Sequence, residues 1–322
     1  MMFALRGIAV SFSIFVLVYG ALSAGVCGVW WSVCHAARQV SARRRAGLLF
    51  ALRVAPFVVA TGITLALAVP SFLLLEPRTG NEPTSKVVVV LGLCGIAVLL
   101  AGMWKAAAAL TRTSRAIARW SGQARIIGSL PVDSRDSVSV LRISATAPPL
   151  TAAGILRPSV WLSRAAELVL TEQELETALR HEVVHVRRRD NLRKLILRMI
   201  AFPGMAQLEN AWREATEMTA DDAAVSSVSE ALDLAAAVIK LSRLVPPGPP
   251  AELTTALVHS PAESLNARVE RLIAWTEPQS TPASTYSFLY ALCSVGVVVV
   301  TLAVTYGALL ARVHAATEWL VR

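Results

Sequence analysis

The sequence predicts a mainly helical integral membrane protein, with four transmembrane helices and a cytoplasmic α+β domain inserted between the third and the fourth. Three observations predict it: an apolar excess, four long uncharged runs, and a one-sided distribution of basic residues. Of 322 residues, 55% are hydrophobic and only 16% charged, with a mean hydropathy of +0.55. Soluble domains are less apolar than this.

The runs Gly7 to Cys34, Val54 to Leu75, Val87 to Trp104 and Pro278 to Ala311 are each bounded by ionisable residues. Wound as a helix, each is long enough to cross about 30 Å of hydrocarbon. One such run could be a buried core helix, but four, including both chain ends, do not fit a soluble core. Spans are therefore expected at residues 8–30, 50–75 and 87–105 of a membrane domain covering 1–110, and at 284–311, with a short extracytoplasmic tail over 312–322. The first run also resembles a cleaved signal peptide, with Arg6, an apolar stretch and Ala21-Leu-Ser-Ala24, but the charges that follow favour a retained span.

Those charges orient the chain. Arg38, Arg43, Arg44, Arg45 and Arg53 follow the first run, and Lys105, Arg112, Arg115, Arg119 and Arg125 follow the third, with no acid inside either segment. Both segments are expected in the cytoplasm of a multi-pass plasma-membrane protein, with both termini outside. The loop between the second and third runs carries Glu76, Arg78, Glu82 and Lys86 and is balanced, as an outer loop can be. Setting the ten basic residues aside leaves 21 Lys and Arg against 22 Asp and Glu, so they account for the whole net charge of +9. The lipid bilayer explains that charge, and no nucleic-acid partner is expected. Cys27, Cys34, Cys94 and Cys293 lie in or beside spans and form no disulfide or zinc-ribbon pattern.

The water-soluble domain is expected at residues 111–283. Ser137-Val-Ser-Val-Leu-Arg-Ile-Ser144 alternates, and Gly154-Ile-Leu-Arg-Pro-Ser-Val-Trp-Leu162 follows Pro148-Pro149, which reads as strands of a small sheet joined by a turn. An edge of that sheet is a place where an extended peptide could add as a strand. Thr171-Glu-Gln-Glu174 forms a capping box and starts a helix at Glu172. The helix runs through a histidine motif until Phe202-Pro203-Gly204 stops it. Beyond Asp190, Leu192, Leu195, Ile196, Met199 and Ile200 face away from Arg193, Lys194 and Arg198, a pattern that fits either the membrane surface or a domain core. A further helix runs from Met205 to Val225, and Val245-Pro-Pro-Gly-Pro-Pro250 is a loop. No internal repeat is visible.

His181-Glu-Val-Val-His185 puts two imidazoles one turn apart on the same helix face, the spacing two ligands need to grip one Zn²⁺. Leu175, Leu179, Val183 and Val186 form a separate apolar stripe that anchors the helix, with Glu182 between the two sets. With five His in the chain, an H-E-x-x-H by chance is rare. A catalytic zinc takes three protein ligands and leaves a position open, so a third donor is expected from elsewhere in the domain. Glu217 is the choice and Glu214 the runner-up. Asp221, one turn beyond Glu217, can accept the N–H of a ligating imidazole and fix its tautomer. Asp222, Arg188, Asp190 and Asn191 are polar neighbours that could orient the site, with a solvated surface the better default for each. His35, His259 and His314 are expected to be bystanders.

The chain resembles the membrane zinc metallopeptidases of the BlaR and MecR signal-transducer type, and more distantly the HtpX and CAAX-processing peptidases. The likeness covers most of the chain. It rests on Gly154 to Leu162, Thr171-Glu-Gln-Glu-Leu-Glu176, His181-Glu-Val-Val-His-Val-Arg-Arg-Arg-Asp190, Glu217-Met-Thr-Ala-Asp-Asp222 and Asn266-Ala-Arg-Val-Glu-Arg271, in that order. The resemblance implies a zincin-like peptidase domain in the cytosol, one Zn²⁺ held by His181, His185 and Glu217, and Glu182 as the catalytic residue. The β-lactam sensors of that family add an extracellular penicillin-binding domain after the last span, whereas this sequence ends at Arg322, so antibiotic sensing by this chain alone is not expected.

The function expected is regulatory proteolysis in signal transduction, with a polypeptide substrate such as a transcriptional repressor or the chain itself. Glu182 would act as general base and acid around a metal-activated water. The alternatives are a broad-specificity membrane quality-control peptidase and a non-catalytic transducer that keeps the metal for structure. No second oxyanion donor is legible, because such a group is defined by geometry and not by spacing.

Overall fold

A computed structural model describes residues 2–37, 41–76, 85–122, 124–133, 136–143, 148–200, 202–244, 253–257, 262–276 and 306–316. Most of these are helical, with one small mixed sheet. Three helices, Phe3–Val29, Ala42–Leu75 and Lys86–Ser121, are long and apolar enough to cross a membrane. Of the expected fourth span, residues 284–305 lie outside the described residues, as do Arg38, Arg78, Glu82, His259, Cys293 and the 245–250 loop. The chain divides into two compact units, Met1–Gly28 with Val54–Ala101 and Pro278–Arg322, and Val29–Arg53 with Gly102–Glu277. The second unit thus runs over Gly102–Glu277 where the domain is expected at 111–283, and it also takes in Val29–Arg53.

The first unit draws on α1 (Met2–Ala37), α2 (Ala42–Ile63), α3 (Val69–Leu75) and α4 (Lys86–Ser121). Val10 packs on Val88, and the Ser13 hydroxyl donates to the Val88 carbonyl at 2.8 Å. Phe15, Tyr19 and Phe57 form an aromatic cluster with centroids 5.6 to 5.8 Å apart. A π-helical turn over Thr64–Ala68 joins α2 to α3 without a break and precedes Pro70, which removes one backbone N–H from the continuous helix. Pro70 has no N–H to offer the carbonyl four residues back, and the Tyr306 hydroxyl donates to that Ala66 carbonyl at 2.8 Å. Tyr306 begins a helix, α11, over residues 306–316.

The second unit is built on a five-stranded sheet of order β1-β2-β4-β3-β5, from β1 (Arg125–Pro131), β2 (Ser137–Ile143), β3 (Leu150–Ala153), β4 (Ser159–Ser163) and β5 (Thr254–Ala256). Its one parallel pair is β2 with β4. Gly154 turns the chain between β3 and β4 at φ +103°, where a side chain would be strained. On one face, Val138, Val140, Leu150, Val160 and Leu162 pack with Val183, Leu234 and Val238 into the main core. On the other, Trp161 and Ile143 meet Ile117 and Trp120 from the end of α4. The expected strands appear as β2 and β4, and β1 on one side and β3 and β5 on the other extend that pair into a five-stranded sheet.

The helices of this unit are α5 (Arg164–Val169), α6 (Glu172–Arg187), α7 (Asp190–Met199), α8 (Ala206–Ala224), α9 (Val228–Ser242) and α10 (Ala262–Ile273). The capping box forms as expected: Thr171 caps the Glu174 N–H at 3.3 Å and Glu174 accepts from the Thr171 N–H at 2.9 Å. Val183 is buried in the core, and Leu175, Leu179 and Val186 pack against it. The single helix expected from Glu172 to Phe202 is instead two, because Arg189 adopts the left-handed conformation at φ 53° and separates α6 from α7. Leu197 and Ile200 are buried, Leu192, Leu195 and Ile196 half-buried, and Met199 exposed.

Candidate metal centre

His181 and His185 share a face of α6, and Glu217 reaches them from α8. The two Nε2 atoms are 3.1 Å apart, and the Glu217 carboxylate places Oε2 at 3.6 Å from one and Oε1 at 3.7 Å from the other. Four donors around a zinc at bonds of about 2.05 Å are separated by about 3.3 Å, the edge of the tetrahedron. These three side chains therefore fit a small divalent ion, and they are the group found among the described residues that could hold one. Both imidazoles are buried, at 0% and 2% exposure. Glu214, the alternative ligand one turn earlier on α8, is exposed and is not in that group.

The outer nitrogens each face a buried aspartate. His181 Nδ1 lies 3.0 Å from Asp221 Oδ1, as the sequence predicts. His185 Nδ1 lies 2.9 Å from Asp190 Oδ2, which the sequence does not predict. Both aspartates are fully buried and face the Nδ1 atoms, so an imidazole that ligates through Nε2 keeps its remaining proton on Nδ1. The expectation of a solvated surface fails for Asp190 and for Asn191, whose amide donates to the Ala152 and Gly154 carbonyls at 3.2 Å. The turn at Arg189 folds both residues back under α6. Asp222 is exposed and pairs with Arg271, in line with a solvated position.

Arg268, on α10, closes the outer layer. It is 2% exposed and donates through Nε and Nη2 to both oxygens of Asp221, at 2.9 and 2.7 Å. Its Nη1 donates to the Leu257 carbonyl at 2.8 Å and lies 3.2 Å from Glu217 Oε2. Against the cost of burial, this guanidinium and His181 hold the Asp221 carboxyl far below the usual range. Glu217 is likewise lowered against burial, by His185 and Arg268.

Glu182 is 0% exposed and points at β3. Its Oε2 accepts the Ala152 N–H at 2.9 Å and faces the Thr255 hydroxyl at 3.4 Å, while Oε1 is buried with no hydrogen-bond partner among the described residues. Burial pushes its pKa up, opposed by His185 and His181. An orphaned carboxylate oxygen is costly in a core.

The sheet edge nearest this carboxylate is not free for strand addition. β5 pairs antiparallel with β3 there, Thr255 opposite Ala152. The exposed edge is β1, at the far end of the strand order.

His181 carries a predicted pH dependence. Burial disfavours its proton, but Asp221 and Glu217 outweigh that and raise its pKa to about 9. To ligate through Nε2 it must give that proton up, so metal uptake at pH 7.5 should release about one proton, and affinity should fall about tenfold per pH unit on acidification below about 9. The matching stabilisation of the metal-free chain is full below about 6.5 and lost as pH rises through about 9. Calorimetric zinc titrations in buffers of different ionisation enthalpy measure the release, and a pH-independent affinity would contradict it.

No protein-family model matches the chain, and no curated protein matches it significantly.

Proposed function

We propose that this chain is a membrane-bound zinc metalloendopeptidase that hydrolyses peptide bonds on the cytoplasmic side of the plasma membrane, in regulatory proteolysis of a repressor or of itself. The observation that carries the reading is the convergence of His181, His185 and Glu217 at tetrahedral spacing beside a buried carboxylate with one oxygen unsatisfied. The basic segments after the first and third apolar runs support the topology, in which 284–311 forms a fourth span and both termini face outward.

Held by His181, His185 and Glu217, zinc would supply a Lewis acid and a water of lowered pKa. The chain's own residues supply the rest. Glu182 takes a proton at Oε1 as the nucleophile attacks the carbonyl carbon, then returns it to the leaving amine as the C–N bond breaks. Asp221 and Asp190 keep both Nε2 atoms aimed inward, and Arg268 balances the charge of Asp221 and Glu217.

The self-directed form of the reading is favoured by β5. A segment of the chain's own backbone already lies antiparallel to β3, with Thr255 facing Glu182. A foreign peptide using that edge would have to displace it.

The test has two arms. Purified full-length chain should carry about one zinc, and His181→Ala close to none, by elemental analysis. Profiling of new protein N-termini in cells making the wild-type chain should then show one or a few cleavages, including any within the chain. Many unrelated termini would favour quality control, and an absence of new termini would defeat the peptidase reading.

A further inference from the structure

We propose that α7 is a strut that transmits the position of the membrane-anchored helices to the metal centre, and that Arg53 is a positioning residue at its far end. The proposal rests on the reading of His181, His185 and Glu217 as metal ligands, and it adds how that site is regulated.

The near end of α7 touches the site at three points. Asp190, its first residue, holds His185 Nδ1. Asn191 donates to the carbonyl of Ala152, the residue whose N–H holds Glu182. Lys194 donates to the Thr254 carbonyl of β5 at 2.7 Å. A ten-residue helix is about 15 Å long and moves as a body, so these contacts shift together.

The far end is gripped by two helices that continue into apolar, membrane-length segments. Arg53 of α2 is 2% exposed and donates through Nη2 to the Ile200 carbonyl at 2.8 Å. Its Nε and Nη1 are buried with no hydrogen-bond partner among the described residues, so that carbonyl is the hydrogen bond there that orients the side chain. A cation on the last carbonyls of a helix is electrostatically favoured. From α4, Gly102 comes so close that a Cβ there would sit 2.0 Å from the Met199 carbonyl oxygen. Backbone therefore meets backbone, and no side chain lies between to absorb a movement.

Between the two ends, the Arg193 guanidinium lies 5.6 Å from the Phe50 ring centre and 3.4 Å from Asp190. Phe50 also packs on Trp212 of α8, the helix that carries Glu217. The first turns of α2 thus run along α7 in the same direction, Phe50 beside Arg193 and Arg53 beside Ile200. The left-handed turn at Arg189 has no side-chain cap and separates the axis of α7 from that of α6. A shift of α2 or α4 then reaches His185 and Glu182 through α7, without passing through the core that anchors α6.

The test uses the full-length chain in lipid nanodiscs, with Zn²⁺ affinity read against a chromophoric chelator and Co²⁺ as a spectroscopic probe. Arg53→Met should weaken Zn²⁺ binding about tenfold and shift the Co²⁺ ligand-field bands, as loss of an outer orienting contact does. Arg53→Lys, which still reaches the carbonyl with a charge, should restore most of the affinity. In an Asp190→Asn background, Arg53→Met should add little further loss, because both act through one path. Wild-type affinity and spectrum in Arg53→Met, or an undiminished loss in the Asp190→Asn background, would overturn the strut. Should Arg53→Met not fold, Arg53→Gln carries the same comparison. A wild-type chain that takes up neither ion would overturn the ligand reading itself, and the strut with it, which separates the two failures.

Discussion

Glu182→Gln should retain its zinc and lose peptide hydrolysis, with kcat falling about 10³-fold and KM nearly unchanged. The amide has the volume of the acid, and its oxygen can still accept the Ala152 N–H that Glu182 accepts at 2.9 Å. What it cannot do is take a proton at the position of Oε1, which has no hydrogen-bond partner among the described residues. The measurement is turnover of the substrate identified by N-terminal profiling, alongside metal content. Cleavage at the wild-type rate would remove Glu182 from the reaction. Full signalling in cells by an inactive Glu182→Gln chain would favour a transducer in which the ion is structural.

Arg268→Met should be the most damaging change outside the three ligands. It leaves Asp221 and Glu217 as buried carboxylates without their cation, and breaking a buried pair from one side costs about 3–5 kcal/mol. Zinc affinity should also fall about 10–100-fold, because Asp221 then no longer holds His181 in one orientation. Arg268→Lys should rescue poorly, since one ammonium cannot make the two parallel bonds to Asp221 and still reach Leu257. Adding Asp221→Asn to Arg268→Met should recover part of the thermal stability, since it removes one of the stranded charges. A thermal midpoint for Arg268→Met equal to wild type would show that the guanidinium is not needed to balance the site.

Much of this centre is visible in the chain before folding is considered. The spacing of His181 and His185, the capping box at Thr171 and the apolar stripe through Val183 are local rules, and α6 obeys them. Glu217 and Asp221 follow from a need, for a third donor and for an acceptor one turn on, and α8 supplies both. The break at Arg189 is not legible, because left-handed turns are usually marked by Gly or Asn and this one is not. Asp190 is missed for that reason: within Arg187-Arg188-Arg189-Asp190 it reads as one more surface charge until the turn swings it onto His185. Arg268 lies 47 residues from Asp221, and no spacing rule links them. β3 and β5 are four and three residues long, too short for a periodic pattern to show.

The bond from Tyr306 to the Ala66 carbonyl fixes more than one contact. Where no water competes, a backbone oxygen without a donor costs several kcal/mol. A slide of α11 by one helical turn, about 5.4 Å, would carry the phenol out of reach and expose that cost. The Ser71 hydroxyl, which donates to the Leu310 carbonyl at 3.2 Å, marks the same alignment one turn further along. Together they act as a detent: the C-terminal helix can tilt about this pair of contacts, but it cannot ratchet past its neighbour without breaking both.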